Sequence, residues 1–258
     1  MSNPGEAGPA PVQSVDRALS ILEILARRRD TGVTELGREL GVHKSTAFRL
    51  LAALERRGFV EQTTDRGTYR LGLGIVRLAG AITAQLDLTR QSQAACERLA
   101  ADLGETVNIA ILDGSRAVNI TQVRGAAAIA SHNWIGQHTP LHATSSGKVL
   151  LAFGPESVRE LVLADALPRF TDATVIDAAA LDEELGRIRQ VGWGATAEEF
   201  EVGLNAVAAP VRGADGTVIA ALSISAPAYR LARDSFPQAA KRVIEAADEV
   251  SNHMGYVP

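Results

Sequence analysis

A cluster of basic and hydroxyl-bearing side chains in the first quarter of the chain has the chemistry that binds nucleic acid. It comprises Lys44, Ser45, Thr46, Phe48 and Arg49. Lysine and arginine bind phosphates and guanine edges, and hydroxyl groups bind phosphates or base edges. The cluster begins a segment whose apolar residues repeat at helical spacing, so these side chains are expected on the exposed face of one helix. This pattern predicts a helix that binds the major groove of DNA.

The flanking residues predict a winged helix-turn-helix around this helix. Leu36 and Leu40 give a preceding short helix one apolar face, and Gly41 suits the turn that follows. The apolar stripe of the second helix consists of Ala47, Leu50, Leu51 and Leu54. Two strands predicted at 59–63 and 68–71 form the wing, with Arg66 in its turn as a further candidate DNA contact. A small helical bundle is the alternative, but it requires all these features to coincide by chance.

A second set of polar residues predicts a small-molecule pocket in the C-terminal part. Alternation along 218–225 places Ser223 and Ser225 on a small, polar face, opposite an entirely apolar one. Ser145 and Ser146 precede a predicted helix, where free N–H groups and hydroxyls attract a carboxylate or a phosphate. The alternatives are that Ser145 only caps its helix and that the strand serines only mark a strand leaving the core.

An enzymatic role is disfavoured, and no catalytic residue is assigned. Ser145 and Lys148 match the S-x-x-K motif of serine acylases, but the accompanying S-D-N and K-T-G segments do not occur. Gly147 and Lys148 do not complete a phosphate-binding loop either, since Val149 stands where Ser or Thr is required. Glu198 and Glu199 are adjacent, so on a strand they point in opposite directions.

Metal binding is also disfavoured, and no cofactor is predicted. His132, His138 and His142 lie within eleven residues, but Pro140 interrupts any helix that would align the last two. The sequence contains no H-E-x-x-H motif, and its one cysteine, Cys96, lies far from these histidines. Surface or core positions are therefore the better interpretation of the three histidines.

The charge distribution agrees with a DNA-binding N-terminal part. The chain of 258 residues has a net charge of −4, which by itself argues against a nucleic-acid partner. Residues 1–75, however, contain 11 Lys and Arg against 9 Asp and Glu, whereas residues 76–258 contain 15 against 21. The single cysteine, and the absence of a secretion signal or a long apolar run, predict a cytoplasmic protein without a membrane partner.

The hydrophobic pattern predicts an α+β protein with four segments. Residues 1–11 are expected to form a disordered tail, 12–72 the winged helix-turn-helix, and 73–88 a linker helix that packs against a second subunit or the next domain. Residues 89–258 contain two predicted hairpins, at 106–123 and 205–225, interspersed with helices. This order predicts a domain with an antiparallel sheet flanked by helices.

Four segments in this order resemble the IclR family of bacterial transcription regulators over about residues 13 to 257. They are LGVHKSTAFRLLAALERRGFV (40–60), TPLHATSSGKVLLA (139–152), Glu198-Glu199 followed by GLNAVAAPV (203–211), and ALSISAP (221–227). The resemblance implies a winged helix-turn-helix, a dimerising linker helix, and an effector domain related to GAF and PAS folds. It also implies a repressor or activator that binds a palindromic operator in double-stranded DNA as a homodimer or homotetramer.

The same resemblance implies which residues line the effector pocket. They are Ala128, Ser131, Ser145, Ser146, Thr196, Ala206, Ser223 and Ser225. Thr196 stands where some relatives have an acidic side chain, so the ligand need not be the same. Trp134 is a further candidate, either for the pocket wall or for the core. Neutral donors beside a helix N-terminus favour a small carboxylate as effector. The alternative function is a DNA-binding protein whose second domain has hydrolytic or metal-dependent activity.

Overall fold

The computed structural model describes residues 12–28, 30–63, 67–80, 83–127 and 133–257. They belong to two compact units, Met1–Leu86 and Asp87–Pro258. The helices are α1 (Gln13–Arg28), α2 (Val33–Glu39), α3 (Lys44–Arg56), α4 (Gly74–Gly80), α5 (Thr83–Leu103), α6 (Ser145–Phe153), α7 (Glu156–Ala164), α8 (Ala178–Val191) and α9 (Phe236–His253). The strands are β1 (Thr31–Gly32), β2 (Val60–Gln62), β3 (Thr68–Leu71), β4 (Thr106–Asp113), β5 (Arg116–Arg124), β6 (His138–Pro140), β7 (Gly194–Ala197), β8 (Leu204–Arg212) and β9 (Val218–Pro227). The predicted tail, residues 1–11, lies outside the described part of the chain.

The first unit is a winged helix-turn-helix, as the sequence predicted. Helices α2 and α3 pack together across the turn at Gly41, whose φ of +63° suits glycine. On α3 the residues Ala47, Leu51 and Leu54 are buried, which confirms the predicted apolar stripe. The wing is a three-stranded antiparallel sheet in the order β1-β3-β2. The two-residue strand β1 was not predicted, because so short a segment has no periodicity.

Residues 74–80 and 83–88 of the predicted linker helix are helical, in α4 and α5, and residues 81 and 82 lie outside the described part of the chain. Helix α5 extends through residue 88 to Leu103. The segment from Thr89 to Leu103 is helical and belongs to α5.

The second unit is built on a six-stranded antiparallel sheet in the order β6-β5-β4-β9-β8-β7. Both predicted hairpins, β4-β5 and β8-β9, are present, and β4 pairs with β9 to join them. The edge strands β6 and β7 were not predicted. They are only three and four residues long, and β6 contains Pro140, which suits an edge strand.

Helices cover both faces of this sheet and create two apolar cores. The α5/α9 core contains Val107, Val207, Leu222 and Ile224 from the strands, packed with residues of helices α5 and α9. The α6/α8 core on the opposite face contains residues of helices α6 and α8 packed against Ala208 and Ala221. Small residues dominate the strands on the second face, so α6 can approach the sheet closely. The fold is therefore the α+β arrangement with flanking helices that the sequence predicted.

One residue of β9 departs from the predicted alternation. Ile219 was expected on the same face as Ala221, Ser223 and Ser225, but it packs against the α5/α9 core. Val211 pairs with Ala220, and the next pair joins Arg212 to Val218, so Ile219 is the extra residue of a β-bulge. A bulge inserts one residue into a strand and thereby changes which side chains face each side.

Candidate functional site

The outer face of α3 carries the residues that were predicted to contact DNA. Lys44, Ser45, Phe48 and Arg49 are exposed on it, and Thr46 is half-buried. Phe48 is 55 % exposed, an unusually open position for an aromatic side chain. Within the described residues Lys44 and Arg49 form no ion pair, so their charges are available to a partner. Arg66 lies outside the described residues.

The N-terminus of α3 is open as well as basic. His43 occupies the N-cap position, and its side chain makes no capping hydrogen bond. The amides of Thr46 and Ala47 both donate to the carbonyl of His43, at 2.9 and 3.1 Å. The preceding first-turn amides, with Lys44 beside them, form an electropositive helix end, which attracts phosphate.

The polar residues of the second unit surround an open cavity, whose volume is about 520 Å³ when the open solvent at its mouth is included. We call it the effector cavity. Its lining includes most of the predicted pocket residues: Trp134, Ser145, Ser146, Thr196, Ala206, Ser223 and Ser225. The other two predicted residues, Ala128 and Ser131, lie outside the described part of the chain. The lining also includes residues that the sequence did not suggest: Asn108, Asn119, Thr139, Thr144, Phe200, Glu201 and Leu204.

Strand register creates the polar floor of the effector cavity. Thr196 on β7 pairs with Ala206 on β8, and Ala206 pairs with Ser225 on β9. One step along the sheet, Ser223 pairs with Asn108 on β4. The side-chain oxygen of Asn108 is buried and has no hydrogen-bond partner among the described residues. A buried carbonyl oxygen without a partner is costly, so this oxygen is a candidate for a ligand contact.

Asn119 reaches the effector cavity through a second β-bulge. Ile109 pairs with Thr121, whereas the next residue, Ala110, pairs with Asn119, so Ile120 has no partner on β4. Gln122 pairs with Asn108, which lines the cavity. Strict alternation from Gln122 would therefore place Ile120 on the cavity side of β5 and Asn119 on the opposite side. The bulge reverses this order, and no sequence signal within 116–124 indicated it.

The N-terminus of α6 forms one wall of the effector cavity. Thr144 is its N-cap, and the amide of Gly147 donates to the Thr144 hydroxyl at 3.2 Å. That hydroxyl donates in turn to the carbonyl of Pro140 at 2.8 Å. The cap of this helix is therefore Thr144 and not Ser145, which lines the cavity together with Ser146. These two serines belong to the first turn of α6. Their hydroxyls and amides therefore lie at the N-terminal end of the helix, which favours anions.

Two aromatic rings supply the apolar part of the lining. Trp134 and Phe200 are both half-buried, with ring centroids 5.9 Å apart. Trp134 therefore lines the cavity, which was one of its two predicted positions. Next to Phe200, the exposed Glu201 contributes a carboxylate to the lining.

A buried lysine lies one helical turn after the serines, a feature that the sequence analysis missed. Lys148 is completely buried, and its Nζ lies 2.9 and 2.7 Å from the two carboxylate oxygens of Glu199. Glu184 on α8 provides a third oxygen at 2.7 Å. Burial raises the pKa of Glu199, and the charge of Lys148 opposes that increase. Glu198 and Glu199 follow the end of β7 and are not on a strand, so strand alternation does not apply to them; the Glu198 carboxylate accepts a hydrogen bond from the amide of Gly203, whereas that of Glu199 binds Lys148.

The histidines do not form a metal site in the described part of the chain. His138 lies 3.0 Å from the carboxylate of Asp113, and the Nε2 of His142 lies 2.9 Å from the carbonyl of Pro168. Burial lowers the pKa of His142. His132 is outside the described residues. Among those that are described, no group of three His, Cys, Asp or Glu side chains is arranged to hold a metal ion.

Comparison with known proteins identifies both units. The IclR helix-turn-helix domain matches residues 14–64, and the C-terminal domain of the bacterial transcriptional regulator IclR matches residues 80–252. The HTH-type transcriptional repressor AllR of Escherichia coli (strain K12) is 33 % identical over 257 residues, covering 98 % of this chain and 95 % of that protein. AllR of Salmonella typhi is 34 % identical over 260 residues, covering 99 % of this chain and 96 % of that protein.

Solved structures agree with this relationship. An IclR homolog from Microbacterium hydrocarbonoxydans, complexed with 4-hydroxybenzoate, has a TM-score of 0.82 and 29 % identity, covering 93 % of this chain and 98 % of that chain. The IclR of Thermotoga maritima has a TM-score of 0.78 and 27 % identity, covering 95 % of this chain and all of that one. The chain belongs to the IclR family and is a ligand-responsive transcriptional regulator with a helix-turn-helix DNA-binding domain, not an enzyme. Among the described residues, no helix has the length and apolar character needed to cross a membrane.

Proposed function

We propose that this regulator binds a palindromic operator as a homodimer or a pair of dimers and that a small carboxylate controls it from the effector cavity. DNA contact is assigned to Lys44, Ser45, Thr46, Phe48, Arg49 and Arg66. Within the described residues, the exposed, unpaired cations on α3 support this assignment. Residues 12–72 would form the DNA-binding domain, 73–88 the dimerising linker and 89–258 the effector domain, in a cytoplasmic protein.

The carboxylate assignment is based mainly on the position of Ser145 and Ser146 at the N-terminus of α6, inside the effector cavity. Hydroxyls and first-turn amides at this end of a helix stabilise negative charge without a cationic side chain. The one buried lysine nearby, Lys148, is already bound by two carboxylates. Glu201 also belongs to the lining, and its negative charge would repel an anion. We therefore place the anionic group of the ligand at the N-terminus of α6 and away from Glu201.

The neutral part of the ligand is assigned to the rest of the lining. Trp134 and Phe200 form an apolar wall suited to an aromatic body, while Asn108, Ser223 and Ser225 offer neutral hydrogen-bonding groups. The structural relative from Microbacterium hydrocarbonoxydans binds 4-hydroxybenzoate, a compact aromatic acid with a hydroxyl group. We therefore propose a hydroxylated aromatic carboxylate as the effector class, with Ala128 and Ser131 retained as proposed contacts.

Calorimetry with 4-hydroxybenzoate and the full-length protein tests this assignment. Each neutral hydrogen bond contributes about 0.5–1.5 kcal/mol, and each bond to a charged group about 1.5–3 kcal/mol. The double variant Ser223→Ala, Ser225→Ala should lose one to several of these increments, with operator binding in the absence of ligand unchanged. Ser157→Ala, an exposed serine on α7, is the matched control. Equal affinity in the double variant and the wild type would mean that the two strand serines are structural.

A further inference from the structure

A second cavity lies next to the effector cavity, and the two share one side chain. This outer groove has a volume of about 910 Å³ including its open side. Its lining includes the apolar residues Leu161, Val162 and Phe170. Phe200 is the one residue in the described part of the chain that lines both the outer groove and the effector cavity.

Apart from Phe200, the partition between the two cavities includes strand β6 and the residue after it. Along β6 and the residue after it, Thr139 faces the effector cavity, while His138, Pro140 and Leu141 line the outer groove. This main chain is held by the pairing of β6 with β5 and by the Thr144 hydroxyl, which binds the carbonyl of Pro140. Because β6 is held in this way, the ring of Phe200, which lines both cavities, is the part of the partition chosen for substitution.

The ring of Phe200 is held between aromatic partners on both sides. Its centroid lies 5.9 Å from that of Trp134 in the effector cavity and 5.1 Å from that of Phe170 in the outer groove. Phe170 in turn lies 5.8 Å from His142. These separations are typical of packed aromatic pairs, so the ring of Phe200 packs against Trp134 in the effector cavity and against Phe170 in the outer groove.

The main chain beside Phe200 is fixed by contacts to distant segments. The hydroxyls of Thr171 and Thr174 donate to the carbonyls of Glu198 and Glu199, both at 2.6 Å. The carboxylate of Glu199 is held by the buried Lys148. Truncation of the Phe200 side chain should therefore leave its main chain in place and open a passage instead of collapsing the loop.

We propose that Phe200 is a specificity-determining residue that limits the length of the effector. This inference depends on the proposed function, because it assigns the effector cavity to an aromatic carboxylate. With the acid group at α6, a single-ring ligand ends against Trp134 and Phe200. A longer ligand meets the Phe200 ring, and without that ring it enters the outer groove, where Leu161 and Phe170 are exposed apolar surfaces.

The test compares one short and one long acid, 4-hydroxybenzoate and 4-(4-hydroxyphenyl)benzoate, by calorimetry on the full-length protein. In the wild type the short acid should bind at least about tenfold more tightly, a ratio within the range that the shape of an apolar pocket provides. In Phe200→Ala this preference should disappear or reverse. Phe170→Ala is the matched control, since it enlarges the outer groove without opening the partition, and it should keep the wild-type ratio.

Operator binding and thermal unfolding establish that each variant is folded. If Phe200→Ala does not fold, Phe200→Leu retains an apolar side chain and should change the ratio in the same direction by a smaller factor. An unchanged ratio in a folded Phe200 variant, or an equal change in Phe170→Ala, would overturn the role of Phe200 alone. If neither acid bound the wild type or any folded variant, the aromatic carboxylate class would be wrong, and this inference with it.

Discussion

The buried amino group of Lys148 bridges two carboxylates, with its Nζ 2.7 Å from Oε2 of Glu199 and 2.7 Å from Oε2 of Glu184. Lys148 is on α6, the helix whose first turn lines the effector cavity, and Glu199 precedes Phe200 in the partition. The ion pair therefore connects the two walls of the effector cavity. Its position predicts effects on stability that differ from those of a surface ion pair.

Lys148→Met should destabilise the protein substantially. The substitution leaves Glu199 buried without its cation, and breaking a buried pair in this way costs about 3–5 kcal/mol. Denaturant unfolding of the full-length protein at pH 7.5 measures the loss. Arg98→Met removes an exposed ion pair with Glu249 and should have a much smaller effect. A loss in Lys148→Met no larger than in this control would mean that water or rearrangement compensates the buried charge.

The loss in Lys148→Met should also depend on pH. Burial raises the pKa of Glu199 in the folded state, so this group favours folding most at low pH and loses that contribution as pH rises through the folded pKa. Without Lys148 the pKa of Glu199 should rise further. The stability difference between variant and wild type should therefore be smaller at pH 5 than at pH 8. A difference that is constant over this range would contradict the assignment to Glu199.

We expect a separate loss of stability in mild acid, caused by His142 and independent of Glu199. Burial lowers its pKa below the usual value, so the neutral ring stabilises the folded state above the unfolded pKa, and this contribution is lost as pH falls through the folded pKa. Unfolding measured from pH 7.5 to 5 should show less decline in His142→Gln than in the wild type. Ser157→Ala, at an exposed residue that does not titrate, should retain the wild-type decline. An equal decline in all three proteins would exclude His142 as its source.

Arg49→Ala tests the DNA-binding face of α3. If Arg49 binds a guanine edge, the variant should lose about 1–3 kcal/mol of specific affinity and discriminate less at that base pair. If Arg49 binds a phosphate, affinity should fall for all sequences alike and the salt dependence should weaken. Fluorescence anisotropy with operator and unrelated DNA distinguishes these results. Arg56→Ala, two turns further along the same helix, is the control, and normal binding by Arg49→Ala would remove this residue from the interface.

The exposed apolar residues near α4 test the proposed assembly. Leu73 and Val76 are 75 % and 64 % exposed, and a cluster of such residues commonly marks a subunit contact. The double variant Leu73→Asp, Val76→Asp should sediment as a smaller species and bind the operator more weakly. Ile75 is half-buried and is therefore a poorer choice for this substitution, and Ile82 lies outside the described residues. Val191→Asp on α8 is the control, and unchanged mass and affinity in the double variant would refute this contact.

Local patterns in the sequence were sufficient to predict the longer helices and strands of this fold, but not the short strands β1, β6 and β7. The spacing of Ala47, Leu51 and Leu54 specifies the buried side of α3, and with it the exposed side that carries Arg49. Alternation along β9 places Ser223 and Ser225 together on one face. These predictions succeeded because helical and strand periodicities depend on neighbouring residues alone.

Tertiary structure decided the features that depend on residues distant in sequence. Bulges opposite β4 and β8 determine that Asn119 faces the effector cavity and that Ile219 leaves it, because strand facing depends on pairing with another strand. A charged residue such as Lys148 is expected at the surface. Its complete burial is possible because it pairs with Glu199, which lies 51 residues away in the sequence. Phe200 lines both the effector cavity and the outer groove. This position likewise results from the packing of segments that lie far apart along the chain.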